Sequence, residues 1–181
     1  MSHVLHEKCD RLFALYDTDG NGRLDHDDVA LMVGRILEGS GVPADSPKAV
    51  SLRTEYDAWW RTLLDHADAD GDGIVTRDEF RTAMTGLSSY APAVEATARK
   101  AVDAAFNAMD HDDDGEIPAA DLIAMFTRGG LSAHDAAEAA SVFDLDGDGT
   151  ITRKEYAAAW MEFFTTEDRD APASRILGRL G

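Results

Sequence analysis

Asp144, Asp146 and Asp148 alternate along the run Asp144-Leu145-Asp146-Gly147-Asp148-Gly149-Thr150-Ile151-Thr152-Arg153-Lys154-Glu155. Carboxylates at the first, third and fifth places of a tight turn can point at one centre. The chemistry of such a set is chelation of a hard divalent cation. Calcium takes six to eight oxygen donors at about 2.3–2.6 Å. Gly149, at the sixth place, allows the sharp turn because it tolerates positive φ. Thr150 at the seventh offers its backbone carbonyl, and Thr152 at the ninth contributes directly or through water. Glu155 at the twelfth can bind with both oxygens. Thr152 and Glu155 also have capping-box spacing, so one geometry serves the ion and the start of the next helix.

Near copies begin at Asp17, Asp68 and Asp110. Loop 1 offers Asp17, Asp19, Asn21, the carbonyl of Arg23, and Asp28. Loop 2 offers Asp68, Asp70, Asp72, the carbonyl of Ile74, and Glu79. Loop 3 offers Asp110, Asp112, Asp114, the carbonyl of Glu116, and Asp121. One such match is often only a solvated acidic turn. Four matches, each with an acid at the twelfth place and an aliphatic at the eighth, make up to four calcium sites the reading. Loops 1 and 3 end in Asp, one methylene shorter than Glu, so reaching the ion with both oxygens requires the loop to contract. Magnesium is possible at these two. Pro118, at the ninth place of loop 3, has no side-chain oxygen, which marks loop 3 as the weakest or most magnesium-tolerant site.

The loops need helices on both sides, and the apolar spacing supplies them. Leu12, Phe13 and Tyr16 lie on one face just before loop 1, and Val29, Met32, Val33, Ile36 and Leu37 form a stripe after it. Gly39 to Pro47 reads as a loop by its Gly, Ser and Pro content. The next helix carries Leu52, Tyr56, Trp59, Trp60, Leu63 and Ala67 into loop 2, and another follows from Phe80. Pro92 suits the start of a fifth helix, which reaches loop 3 through Phe106 and Met109. Ser132 to Asp135 caps a helix that runs to Phe143 and loop 4. Tyr156, Ala159, Trp160 and Phe163 face inward from the last helix. The fold class is all-α: four helix-loop-helix units. Residues 1–90 form the first pair and 91–166 the second, with a tail over 167–181 packing on the body.

The chain of 181 residues is 44% hydrophobic, enough for a real core. Its 35 acids against 17 Lys and Arg give a net charge of −18. Nucleic acid and anionic membrane are excluded as main partners, since both need a basic face. No stretch is apolar enough for a membrane span and the N-terminus has no apolar leader pattern, so a cytoplasmic location is expected. Nothing suggests a coiled coil, and a monomer is expected. Cys9 lies on the stripe Leu5, Cys9, Leu12 and reads as a buried structural thiol. The acids sit at ion-ligand spacing and the histidines are scattered, so catalysis is not expected.

The loops resemble those of the EF-hand family. In that family the eighth residue forms a short antiparallel bridge with the neighbouring loop, which would pair Leu24 with Val75 and Ile117 with Ile151. The whole-chain layout, with a wide interval from Asp17 to Asp68 and a short link near Ser88, resembles the sarcoplasmic calcium-binding protein and bacterial calerythrin family. That resemblance implies two halves packed together and a tail covering the apolar cleft. It also implies a silent loop, which this sequence does not show. The functions that follow are a cytosolic calcium buffer or signal modulator, or alternatively a sensor that exposes an apolar groove to a partner helix. Sensors favour Met in that groove. Here aromatics outnumber the non-initiating Met32, Met84, Met109, Met125 and Met161, which favours the buffer.

Overall fold

The computed structural model describes residues 3–86, 92–128 and 130–177. The link after Gly86 and the end of the tail, Leu180 included, lie outside the described residues. In chain order the elements are α1 (His3–Tyr16), β1 (Arg23–Leu24), α2 (His26–Ser40), α3 (Pro47–Ala67), β2 (Val75–Thr76), α4 (Arg77–Gly86) and α5 (Pro92–Met109). Then come β3 (Glu116–Pro118), α6 (Ala119–Arg128), α7 (Ala133–Phe143), β4 (Thr150–Thr152), α8 (Arg153–Thr165) and a 3-10 turn (Pro172–Arg175). The helical expectation holds.

Helix starts follow local side-chain chemistry. Ser46 accepts the N–H of Ala49, with Pro47 at the first helical position, and Ser132 accepts the N–H of Asp135. Thr152 and Glu155 form a reciprocal capping box at α8, as Asp25 and Asp28 do at α2. One boundary differs from the composition-based reading. Gly39 and Ser40 belong to α2, which ends at Gly41 with φ of 68°. The Ser40 hydroxyl donates to the Leu37 carbonyl, and the residue is buried, so the last turn is held rather than frayed.

Two antiparallel strand pairs join the loops as the position-8 residues required. Leu24 faces Val75 in one, and Ile117 faces Ile151 in the other. All four side chains are fully buried. Around the first pair, Phe13 meets Phe80 at 5.8 Å and Tyr16 meets Trp59 at 4.8 Å. Around the second, Phe143 meets Tyr156 at 5.1 Å and Trp160 meets Phe163 at 6.0 Å.

The halves share core. Val33, Leu37, Ala49 and Leu52 from the first half are buried with Ala104, Ala105 and Ala108 of α5. α3 makes its most extensive contact with α5, and the run of alanines is what lets the two backbones approach.

The described part of the tail packs on the body, and its last residues, 178–181, lie outside the described residues. Ala173, Ser174 and Ile176 are buried against α7 and α8. The cleft between the halves is lined by α1, α2, α3, α5, α6 and α8, and no described tail residue lines it. α1 fastens the tail region. Lys8 Nζ donates to the carbonyls of Phe163 (3.1 Å) and Thr166 (2.9 Å), and Arg11 donates to that of Leu177 (2.8 Å). Burial pulls the Lys8 pKa down to about 8, with Glu162 and Asp168 opposing it. These bonds tie α1 to the end of α8 and to Leu177.

Cys9 is buried, as expected, and burial, helped by Asp10, pushes its thiol up to about 11. Only the thiolate reacts with alkylating reagents. The folded chain should therefore be alkylated by iodoacetamide at pH 8 at least about a hundredfold more slowly than the urea-unfolded chain. Equal rates would contradict the burial.

Candidate metal centres

The four loops repeat one hydrogen-bond plan. The first-place carboxylate takes the N–H of the sixth-place glycine: Asp17 from Gly22, Asp68 from Gly73, Asp110 from Gly115 and Asp144 from Gly149, at 2.9–3.1 Å. The fifth-place side chain takes the N–H of the seventh residue: Asn21 from Arg23, Asp72 from Ile74, Asp114 from Glu116 and Asp148 from Thr150. Each bond bends the chain around a common centre. Arg23, Glu116 and Thr150 then open their strands, and Ile74 directly precedes β2.

The plan brings carboxylates together against their repulsion. One oxygen each from Asp68, Asp70 and Asp72 lies within 4.8 Å of the others, and the same holds for Asp110, Asp112 and Asp114 and for Asp144, Asp146 and Asp148. In loop 1 the set is Asp17, Asp19 and Asp28. Two like charges about 4 Å apart repel by about 1 kcal/mol even in bulk water. A hard divalent cation is the group that fits such donors. Two orphaned atoms make the same point: Asp17 Oδ1 and Asp110 Oδ1 are buried with no hydrogen-bond partner among the described residues. Buried acceptors are ordinarily paired.

The twelfth-place acids divide into two kinds. Glu155 receives the N–H of Leu145 on Oε1 (3.2 Å) and that of Thr152 on Oε2 (2.9 Å). Glu79 does the same with Ala69 (3.1 Å) and Thr76 (2.9 Å). Asp28, though shorter, reaches inward: it is buried and takes the N–H groups of Thr18 (2.7 Å) and Asp25 (3.0 Å). In loop 1 the shorter acid does reach the other donors, with one Asp28 oxygen within 4.8 Å of those of Asp17 and Asp19. Asp121 is exposed and takes no hydrogen bond from the described residues. Its ninth-place neighbour is Pro118, which has no N–H to give. The structure thus brings Asp28, Glu79 and Glu155 to their loops and leaves Asp121 at the edge of loop 3.

Hydrogen bonds hold several of these acids below the usual carboxylate range. For Glu79 the cause is first the backbone N–H of Thr76, then its hydroxyl and Ala69. For Glu155 it is first the Thr152 hydroxyl, and for Asp148 the backbone of Thr150. All three stay ionised at neutral pH, the form that binds metal.

Loop 3 has neighbours that spacing alone did not reveal. Lys48, near the start of α3, sits 2.6 Å from Asp113 Oδ1 and donates to the Asp110 carbonyl. Arg153 lies 3.9 Å from Asp110 Oδ2 with its guanidinium over the Phe106 ring. Asp113 adopts φ of 59° at the place where loops 1, 2 and 4 have glycine. A resident ammonium beside a divalent cation opposes it. Lys48→Met should raise the calcium affinity of loop 3 about threefold or more, an effect of the size of a screened charge pair. Calorimetric titration checks this, and a fall in affinity would show that Lys48 acts by holding the loop in shape.

The repeated acidic loop between two helices, joined in pairs by short strands, defines a calcium-binding helix-loop-helix protein. The EF-hand domain pair family matches residues 7–85 and 99–161. The chain belongs to the EF-hand family, and it binds calcium through these hands. It is 25% identical to calerythrin of Saccharopolyspora erythraea over 88% of this chain and 92% of that protein. A calcium-binding protein of Streptomyces coelicolor, described in terms of prokaryotic calcium-mediated regulation, superposes with a TM-score of 0.79 at 33% identity. The match covers 89% of this chain and 98% of that one. The sarcoplasmic calcium-binding protein of amphioxus gives a TM-score of 0.76 at 18% identity, over 99% and 100% of the two chains, a likeness of fold. The family resemblance read from the loops and their intervals is thus borne out.

Proposed function

We propose that the protein is a calcium buffer and signal modulator that orders its two halves around bound ions. The observation that carries it is the set of four carboxylate triads in one repeated loop plan. In this reading Asp17, Asp19, Asn21, Arg23 and Asp28 hold one ion. Asp68, Asp70, Asp72, Ile74 and Glu79 hold the second, and Asp144, Asp146, Asp148, Thr150 and Glu155 the fourth. Arg23, Ile74 and Thr150 act through their carbonyls. Loop 3, through Asp110, Asp112, Asp114 and the Glu116 carbonyl, is the weakest, and Asp121 contributes only after the loop closes. Magnesium competes best at loops 1 and 3, whose acids are shorter. The protein acts by binding rather than by catalysis, as a monomer in the cytoplasm.

Two features support a modulator over a groove-exposing sensor. The halves share buried core through α3 and α5. Among the described residues the large exposed hydrophobics are Leu31 on α2, Val50 on α3 and Leu145 in loop 4. The regulatory description of the Streptomyces relative supports a part in signalling. No described helix is long and apolar enough to cross a membrane. Amide hydrogen exchange tests the reading. Calcium should slow exchange in the helices of both halves. A calcium-specific acceleration along α2 and α6 would favour the sensor, since it would mean that the halves part.

A further inference from the structure

Between the halves lies a cavity of about 200 Å³. An apolar cavity of about 150 Å³ is already enough to take up benzene. Its walls are apolar and come from both halves, with Leu15 of α1, Met32 and Ile36 of α2, Val102 of α5, Met125 of α6 and Phe164 of α8. Such a void forfeits packing energy in proportion to its volume, so a core this rich in aromatics has given up contacts to keep it.

The polar groups on the wall are unusual. Trp160 lines the cavity at 9% exposure, and its indole N–H is buried with no hydrogen-bond partner among the described residues. The Tyr156 ring stands edge-on to that of Trp160, with the centroids 6.5 Å apart. Burial pushes the Tyr156 phenol up to about 12. Tyr56 is likewise pushed well above its ordinary value by burial, with the Tyr156 and Tyr16 phenols close by. These hydroxyls remain protonated donors at any physiological pH. At the exposed rim stand Arg35 and Arg128, with Glu38 the one acid among the described lining residues, a net positive lining on a chain of charge −18. Thr18 of loop 1 also lines the cavity, and its carbonyl accepts from Arg35 at 2.9 Å.

We propose that this cavity binds a small, mainly apolar organic acid, whose ring or chain fills the space between the halves and whose oxygens accept hydrogen bonds from the donor-rich wall. A buried donor left unpaired is what a site built to hydrogen-bond its ligand looks like before binding. The volume admits a ring system. The inference stands on the cavity and is independent of the metal reading.

Calorimetry on the full, calcium-saturated chain with 2-naphthoate and 2-methylnaphthalene tests it. The acid should bind one to one, about tenfold or more tighter than the hydrocarbon of the same ring. Val102→Phe, which fills the space, should abolish both. Trp160→Phe should remove most of the preference for the acid while the hydrocarbon still binds. Calcium titration of each variant reports folding separately. No binding of naphthoate, or binding unchanged by both substitutions, overturns the proposal.

Discussion

Glu155→Gln will weaken calcium binding at loop 4 about a hundredfold, equivalent to about 2.7 kcal/mol. The carboxylate holds two parts of the loop at once, the Leu145 N–H on one oxygen and the Thr152 N–H and hydroxyl on the other. It therefore ties the start of the loop to its end around the triad-bearing turn. Gln keeps the size but has one acceptor oxygen and no charge. It cannot accept on both sides, and it subtracts one negative charge from a site whose affinity depends on charge count. Competition against a chromophoric chelator measures the loss. Asp121→Asn in loop 3 is the contrasting variant. Because Asp121 is exposed and engages no loop N–H, its substitution should lower affinity only about threefold or less. Similar losses in the two variants would mean that the loop plan does not govern binding.

Removal of calcium will lower the melting temperature sharply. An ion that binds only the folded chain stabilises it by about 2.7 kcal/mol per site at a hundredfold excess over Kd. For a chain of this size each kcal/mol corresponds to about 2–4 °C, so each site emptied by chelation should lower Tm by about 5–10 °C. The physical source is the repulsion among carboxylates held within 4.8 Å. The strand pairs carry the effect beyond the loops, because Leu24, Val75, Ile117 and Ile151 are fully buried beneath them. Calorimetry with calcium and then with chelator measures the shift. An unchanged Tm would mean that the loops are acidic turns with no ion to bind.

The features legible in the sequence are the local ones. Asp144, Asp146 and Asp148 lie within five residues, and Thr152 with Glu155 is a one-turn relation. Such spacings determine loop, cap and helix start together. The eighth-place aliphatics also announced their pairing, because each loop carried one. What the sequence could not resolve were places where distant chain segments decide the outcome. Asp28 and Asp121 are the same residue at the same loop position. Asp28 is drawn in by the N–H groups of Thr18 and Asp25, while Asp121 has Pro118 at the ninth place of its loop. That much was readable in hindsight, from the missing N–H of proline. Lys48 meets Asp110 and Asp113 only because α3 packs on α5, and no periodicity records it. Lys8 and Arg11 of α1 bind the carbonyls of Phe163 and Leu177, 155 and 166 residues away, and no local pattern announces those bonds. The unpaired indole of Trp160 is likewise a property of the assembled halves.

The most direct test of the central claim is the stoichiometry of calcium bound at saturation, measured by equilibrium dialysis on the full chain and on Glu155→Gln. Four ions per chain are expected, with the last and weakest entering loop 3. Under free calcium that fills the strong sites of the parent chain, the variant should bind one ion fewer. A chain that takes up no calcium, or a stoichiometry and affinity untouched by the substitution, would contradict the assignment of the loops as the metal centres.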